Sequence, residues 1–394
     1  MDISIEVGDI FRLFGPVYVK KYGQHMPLCH HRSIRALSIC RTKALGGHVA
    51  QCDQCGAIKI CYSSCRNRHC PKCQSLAQWK WVEERQKDLL PIPYFHVVFT
   101  LPEALRPLAL QNQRVIYNLL FQAASQTLLT LSADPKYLGA QIGVTSVLHT
   151  WSQTLMNHPH LHCLVTGGGL SEDGIEWRAT RKDFFLPVQV MASLFRGKFL
   201  AFLKKAYEQD RLIFCGQIAQ LADENQFKHL IDGLYQKGWI VYCKPPFAGP
   251  KQVLDYLGRY THRIAIGNER ILHLENDQVT FSYRDRAQDN KKKRMTLSAF
   301  EFIRRFLLHI LPDSFVKIRH YGLSSNRHRN TTLRWAQSLL GICLQEIETP
   351  KPTWQDLMVR ITGIDPCQCQ VCGRGRLVLK DVLFPQKYRA PPHP

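Results

Sequence analysis

Two sets of residues in this chain have the types and spacing to act together on a phosphodiester. The first is the run His158-Pro159-His160-Leu161-His162-Cys163-Leu164-Val165. It reads as a strand, in which successive side chains alternate faces. His160 and His162 then point one way, while Leu161, Cys163 and Val165 point into a core. Two neighbouring imidazoles form half of a divalent-metal site. The second set is Tyr256 and Tyr260, four residues apart in a stretch of helical periodicity and so neighbours on one helix face. Taken alone, the histidines read as an exposed pair and the tyrosines as packing beside Val253 and Leu257. Taken together they suit scission of a nucleic-acid strand through a phosphotyrosine bond. A Mg²⁺ or Mn²⁺ ion on His160 and His162 would neutralise one phosphate oxygen. The cations Arg259 and Arg263 would favour ionisation of a phenol whose ordinary pKa is about 10. A covalent link to tyrosine stores the bond for rejoining without ATP, and two tyrosines permit two consecutive transfers. His158 shares the face of His160 and His162, but the three positions span about 13 Å, too far for one ion to hold them all. A third ligand must come from elsewhere; His96, His149, His262 and Asp255 are the candidates.

The cysteines point to a different metal. Fifteen of them in a reducing compartment do not form disulfides. Cys52 with Cys55 and Cys70 with Cys73 form two Cys-x-x-Cys knuckles separated by 14 residues, a spacing that suits one four-thiolate zinc site. Cys40, His48, Cys65 and His69 are candidates for a second zinc, with Cys65 and His69 four apart. Between the knuckles, Arg66-Asn67-Arg68-His69 is a basic tip, either a solvated loop or a phosphate contact. Near the end of the chain Cys367, Cys369 and Cys372 make a weak zinc signal with no obvious fourth ligand.

The elements that must position these groups fit an α+β chain of 394 residues, 45% of them apolar. Residues 1–28 read as a helical lead-in and 75–90 as a helix ended by Pro91 and Pro93. Residues 94–100 read as the first strand of a sheet, followed by helix at 103–131 and a strand or short helix at 142–151. The histidine strand ends at Gly167-Gly168-Gly169, which allows a tight turn or close approach to a ligand. An amphipathic helix at 187–208, a strand at 239–243 and the tyrosine helix follow. A hairpin is expected over 271–283 with Asn276-Asp277 at its turn, then a helix at 298–311 and a strand at 315–321. The division this suggests is a zinc-binding head at 1–90, a catalytic domain at 91–312 and a basic C-terminal region at 313–394.

Charge indicates the partner. Fifty-two Lys and Arg against 31 Asp and Glu give a net charge of +21, which suits a polyanion, nucleic acid before an anionic membrane. Lys291-Lys292-Lys293-Arg294, Arg319, Arg327 and Arg329 interleave with aromatic residues, the mixture that binds single strands. No run is apolar enough to cross a bilayer, and residues 1–6 lack the features of a signal peptide, so a cytoplasmic, nucleoid-associated protein with no membrane partner is expected. No Gly-x-x-x-x-Gly-Lys-Ser/Thr motif is present, so strand unwinding is expected to come from a host helicase.

In order along the chain, residues 64–73, 97–102, 158–162, 256–260 and 315–322 resemble the rolling-circle transposases of the insertion-sequence-ninety-one type. The resemblance implies an HUH endonuclease: an antiparallel sheet flanked by helices, preceded by a Cys-rich zinc-binding head. It implies His160 and His162 as metal ligands, and Tyr256 and Tyr260 as nucleophiles that leave a 5′-phosphotyrosine and a free 3′-hydroxyl. Its substrate would be single-stranded DNA at element ends and target. A plasmid-type replication initiator uses the same chemistry and is the nearest rival. A non-catalytic zinc-finger protein explains the cysteines and charge but leaves the histidine strand and tyrosine pair idle, and a metal-dependent RNA phosphoesterase is a third reading.

Overall fold

The computed structural model describes residues 5–86, 88–181, 184–244, 252, 258, 265–285, 288–327, 329–342 and 353–386. In chain order its strands are β1 (Gly47–Cys52), β2 (Ile58–Tyr62), β3 (Tyr94–Thr100), β4 (Ala140–Trp151), β5 (Asn157–Ser171), β6 (Trp177–Ala179), β7 (Val241–Lys244), β8 (Ile271–Glu275), β9 (Gln278–Asp285), β10 (Lys291–Ser298), β11 (Ile318–Gly322) and β12 (Leu377–Leu383). The helices that matter most are α1 (Val7–Tyr22), α2 (Leu28–Ile39), α3 (Pro71–Gln86), α4 (Arg106–Gln111), α5 (Gln113–Ala133) and α6 (Val188–Glu208). They form two compact units. One comprises Met1–Lys80, His262–Ile310 and Glu346–Pro394; the other comprises Trp81–Thr261 and Leu311–Gln345. Along the sequence these two units interleave. The physical reason is that β12 returns to pair antiparallel with β1, which draws the end of the chain into the head.

The sheet unit is built on strands in the order β11-β4-β5-β3-β7, with β6 added on β5. Each pairing is antiparallel. Alternation sorts its two faces. Phe95, Val97 and Phe99 of β3, Leu161, Cys163 and Val165 of β5, and Val144 and Leu148 of β4 lie in one core with α5 and α6. In α5 the buried residues Ile116, Leu120, Ala123, Ala124, Thr127, Leu128 and Leu131 recur at three- and four-residue steps, the stripe that a helix presents to a sheet. Its buried hydroxyls bond back to the preceding turn, Thr127 to the Ala123 carbonyl at 2.7 Å and Ser132 to that of Leu128 at 2.6 Å. From α6, Phe195 meets Phe99 at 4.9 Å and Trp239 at 5.2 Å. The opposite face carries Tyr94, Val147 and Leu164, packed with Leu90, Ile92, Leu323 and Leu333.

The triple glycine is a correction to the expected turn. Gly167, Gly168 and Gly169 lie within β5, and the close approach they allow is to neighbouring backbone. A Cβ on Gly167 would stand 2.6 Å from the Pro93 carbonyl oxygen, and one on Gly169 2.3 Å from that of Gln141.

In the head, α1 buries Val7, Ile10 and Phe11, and Phe11 packs edge-on against Phe306 of the helix Ala299–Leu307 at 5.1 Å. The β8–β9 hairpin turns at Asn276 and Asp277, both left-handed (φ 49° and 59°), the conformation a two-residue turn between twisted strands requires. Two further three-stranded sheets, β12-β1-β2 and β10-β9-β8, complete it. The Lys291–Arg294 run is neither loop nor tip but part of β10, with Lys291, Lys292 and Arg294 exposed and Lys293 paired to Asp285 at 2.7 Å. Among the described residues no helix is long and apolar enough to cross a membrane.

Phe195→Ala is expected to destabilise the sheet unit by about 3–5 kcal/mol, because it leaves a cavity between α6 and β3. Urea unfolding followed by the fluorescence of adjacent Trp239 measures this; an unchanged midpoint would contradict the packing.

Candidate metal centres and nucleic-acid interface

Strand register assembles the histidines. On the neighbouring strands β4 and β5, His149 stands directly opposite His160 and Val147 opposite His162. Cross-strand partners sit about 5 Å apart at Cβ, and His162 follows His160 on the same face. One ligand atom from each of His149, His160 and His162 lies within 4.8 Å of the others. Only 2%, 8% and 5% of these residues is exposed, so the imidazoles are buried polar groups that need partners. Hydrogen bonds orient two of the rings and fix the proton on one of them. His160 Nδ1 is 2.6 Å from the His158 carbonyl oxygen, which can only accept, so Nδ1 carries the proton and Nε2 keeps its lone pair. His162 Nδ1 is 2.8 Å from His96 Nε2 of β3, a bond in which either ring can donate and which fixes the orientation of the His162 ring. The His149 ring stacks on Trp151 at 4.5 Å. The third histidine is therefore His149, while His96 stands behind His162 as its orienting partner. His158 falls outside the group, as its distance along the strand requires.

The cysteines form two groups, and the grouping corrects the sequence expectation. Cys70 and Cys73 gather with Cys40 and Cys65, and Cys52 and Cys55 gather with Cys369 and Cys372. Within the first group, Sγ–Sγ distances are 3.7 Å for Cys40–Cys73, 3.6 Å for Cys65–Cys73 and 3.6 Å for Cys70–Cys40. In the second, Cys52–Cys372 and Cys55–Cys369 are each 3.7 Å. Tetrahedral Zn–S bonds of about 2.3 Å place sulfurs about 3.8 Å apart, so both groups fit zinc. The two knuckles separate because Cys52 ends β1, against which β12 and its own knuckle pair, whereas Cys70 and Cys73 flank the start of α3. Neither His48 nor His69 joins a group: His48 lines a groove on the β12-β1-β2 sheet, and His69 Nδ1 is 3.1 Å from Asn67 Oδ1. Crowded sulfurs also divide their protons unevenly. Hydrogen bonds from Cys65 and Cys70 bring the Cys40 thiol down to about 6, and Cys73 is lowered further by Cys40, while Cys65 and Cys70 are raised. The negative charge belongs to the cluster as a whole, and a divalent cation is what neutralises it.

The remaining site residues are distributed as follows. Tyr256, Tyr260, Asp255, Arg259, His262 and Arg263 lie outside the described residues. Lys244, the last residue of β7, is in register with His96 of β3. Arg66 and Arg327 are exposed, Arg68 is half-buried, and Arg329 opens the short helix Arg329–Leu333. Arg319 is half-buried: its guanidinium lies 4.1 Å from the Phe121 ring centre and donates to Asn118 Oδ1 at 2.5 Å. The β12-β1-β2 groove adds cations and rings that sequence reasoning did not single out: Arg41, Lys59, Tyr62 and Trp354. The weak zinc signal at Cys367, Cys369 and Cys372 lacked a fourth ligand in the sequence; the structure gathers Cys369 and Cys372 with Cys52 and Cys55 and leaves Cys367 outside the group.

Comparison with known proteins places these features in a family. Residues 10–101 match a family model described as "Transposase zinc-binding domain", and residues 143–332 match one described as "Putative transposase". The first range holds six of the clustered cysteines and the second holds all three converging histidines. The chain is 48% identical over 383 residues to "Putative transposase y4qJ" of Sinorhizobium fredii, covering 96% of this chain and 95% of that one. It is 27% identical over 351 residues to "Transposase for insertion sequence element IS801" of Pseudomonas savastanoi pv. phaseolicola, covering 86% of this chain and 81% of that one. With its Cys-rich head and histidine-bearing antiparallel sheet, the chain belongs to the transposases of the insertion-sequence-ninety-one type.

Proposed function

We propose that this transposase nicks and rejoins single-stranded DNA through a 5′-phosphotyrosine, in the manner of rolling-circle transposition. The observation that carries the reading is the convergence of His149, His160 and His162 on one sheet face, with His160 Nε2 left to ligate. Three neutral imidazoles suit a divalent ion, and Mg²⁺ or Mn²⁺ bound there supplies charge neutralisation at a non-bridging phosphate oxygen. The protein's own groups do the rest. His96 and the His158 carbonyl hold the ligating rings in orientation. Tyr256 and Tyr260, on the stretch that follows β7, are the nucleophiles; a phenolate attacks phosphorus, the 3′-oxygen leaves, and the 5′-phosphate stays on tyrosine until a second 3′-hydroxyl reverses the exchange. Arg259 and Arg263 favour the phenolate. The exposed cations Arg66, Lys291, Lys292, Arg294 and Arg327, with the groove of Arg41, Lys59, Tyr62 and Trp354, provide backbone contacts and stacking surfaces for a single strand. Zinc in the two cysteine groups is structural, and a separate helicase opens the duplex.

Three outcomes are expected. Tyr256→Phe combined with Tyr260→Phe leaves single-strand binding intact but abolishes the SDS-stable protein–DNA band; a band persisting in the double variant refutes the nucleophile assignment. Nicking by the wild type stops in EDTA and returns with Mn²⁺, and His96→Ala weakens Mn²⁺ affinity by about 10–100-fold, with His149→Ala and His160→Ala losing at least as much; nicking indifferent to EDTA counts against the metal centre. Purified protein carries about two equivalents of zinc, and Cys369→Ser with Cys372→Ser removes one; zinc content unchanged by that pair of substitutions would contradict the head-to-tail site.

A further inference from the structure

Beside the imidazole triad stands a guanidinium to which the metal site gives no role. We infer that Arg106 is a phosphate clamp: it binds a non-bridging oxygen of the scissile strand next to the metal, with Glu103 keeping its place until DNA arrives. The inference deepens the strand-transfer reading above and rests on it.

The local chain explains why Arg106 is there. β3 ends at Thr100, opposite His160, and the next amide, Leu101 N–H, donates to the Pro159 carbonyl at 3.0 Å. That bond fastens the following turn to the histidine strand, and Arg106, the first residue of α4, reaches back to it. Its Nη2 lies 3.1 Å from His158 Nδ1. A guanidinium can only donate, so His158 Nδ1 accepts, and that ring is neutral with its proton on Nε2. The His158 ring centre is in turn 5.2 Å from that of His160. A permanent positive charge is thus held one imidazole away from a metal ligand.

Two cations so placed repel each other unless an anion lies between them. The anion on Arg106 in the structure is Glu103, whose Oε1 is 2.6 Å from Nη1, but the Glu103 side chain is 81% exposed against 26% for Arg106. An ion pair with one partner so fully in water is weak and readily exchanged. The guanidinium also has donor capacity to spare, since its four Nη protons meet only Glu103 Oε1 and His158 Nδ1 among the described residues. Arginine presents a planar fork that matches a phosphate with two parallel donors, which a carboxylate on one Nη does not satisfy. A phosphodiester exchanging with Glu103 would complete the fork and lie against the metal centre, while the His158 contact keeps the guanidinium aimed.

The test uses full-length protein, Mn²⁺ and single-stranded oligonucleotides tiling the ends of the element that encodes it. Arg106→Gln is expected to slow formation of the covalent adduct by about 100-fold, with Mn²⁺ affinity and thermal midpoint unchanged, and Arg106→Lys to recover only part of the rate. Glu103→Gln, which removes the competing carboxylate, is expected to tighten oligonucleotide binding by about threefold. Arg106→Gln matching the wild-type rate, or losing Mn²⁺ affinity in step with rate, would overturn the clamp while leaving strand transfer standing. Glu103→Gln binding no more tightly would overturn it as well. Absence of any adduct from the wild type would instead overturn the strand-transfer reading, and the clamp with it.

Discussion

Everything chemical in the sheet unit depends on the register of β4 against β5. His149 meets His160 because those two residues are directly opposed, and His162 joins them because it is two residues further along the same strand. A slip of one residue would reverse every side chain of a strand and send its imidazoles into the apolar core. The register is held by that core. Leu161, Cys163 and Val165 are fully buried beneath α5 and α6, and they leave the even-numbered side chains of β5 no alternative face. A bulge in the pairing follows directly after His149, between it and Trp151, a placement typical of strands that aim a functional side chain. The hydrophobic pattern thus brings the three imidazoles together without any of them packing in the apolar core.

The head solves a different problem with thiolates. Its sheets are short, and β2 and β12 leave Ile58, Ile60, Val378 and Leu379 exposed, so apolar burial alone is modest there. Metal binding by groups that are apart in the unfolded chain is folding free energy. One cysteine group works over a local stretch, Cys40 to Cys73. The other joins Cys52 and Cys55 to Cys369 and Cys372, beside a β1–β12 pairing and an Asp53 side chain that accepts from the Arg376 amide at 2.8 Å. The segments of the sheet unit are therefore inserted between parts of the head, and the head is complete only when the end of the chain has returned to it.

How much of this was legible in the sequence follows from which signals are local. Alternation in residues 94–100 and 158–165, the helical stripes of α5 and α6, and the Asn276-Asp277 turn are properties of single elements, and the structure contains them where they were expected. The zinc-binding character of the head could be read from its knuckles. What could not be read was partnership across long separations: that Cys55 pairs with Cys369 and not with Cys70, or that His149 and not His96 completes the imidazole group. Those depend on which strands become neighbours. The partners of Arg319 were hidden for the same reason: Phe121 and Asn118, which its guanidinium meets, come from a helix distant in sequence. The glycine run misled because close backbone approach within a sheet and a tight turn demand the same residue.

The central claim is that an imidazole-held ion and a tyrosine oxygen act on one phosphate. Proteolysis of the covalent protein–DNA complex formed on a single-stranded substrate, followed by mass spectrometry of the peptide still attached to the DNA, tests it most directly. The account predicts a peptide modified at Tyr256 or Tyr260, joined to a 5′-phosphate. A peptide from elsewhere in the chain, or a link to a 3′-phosphate, would contradict it.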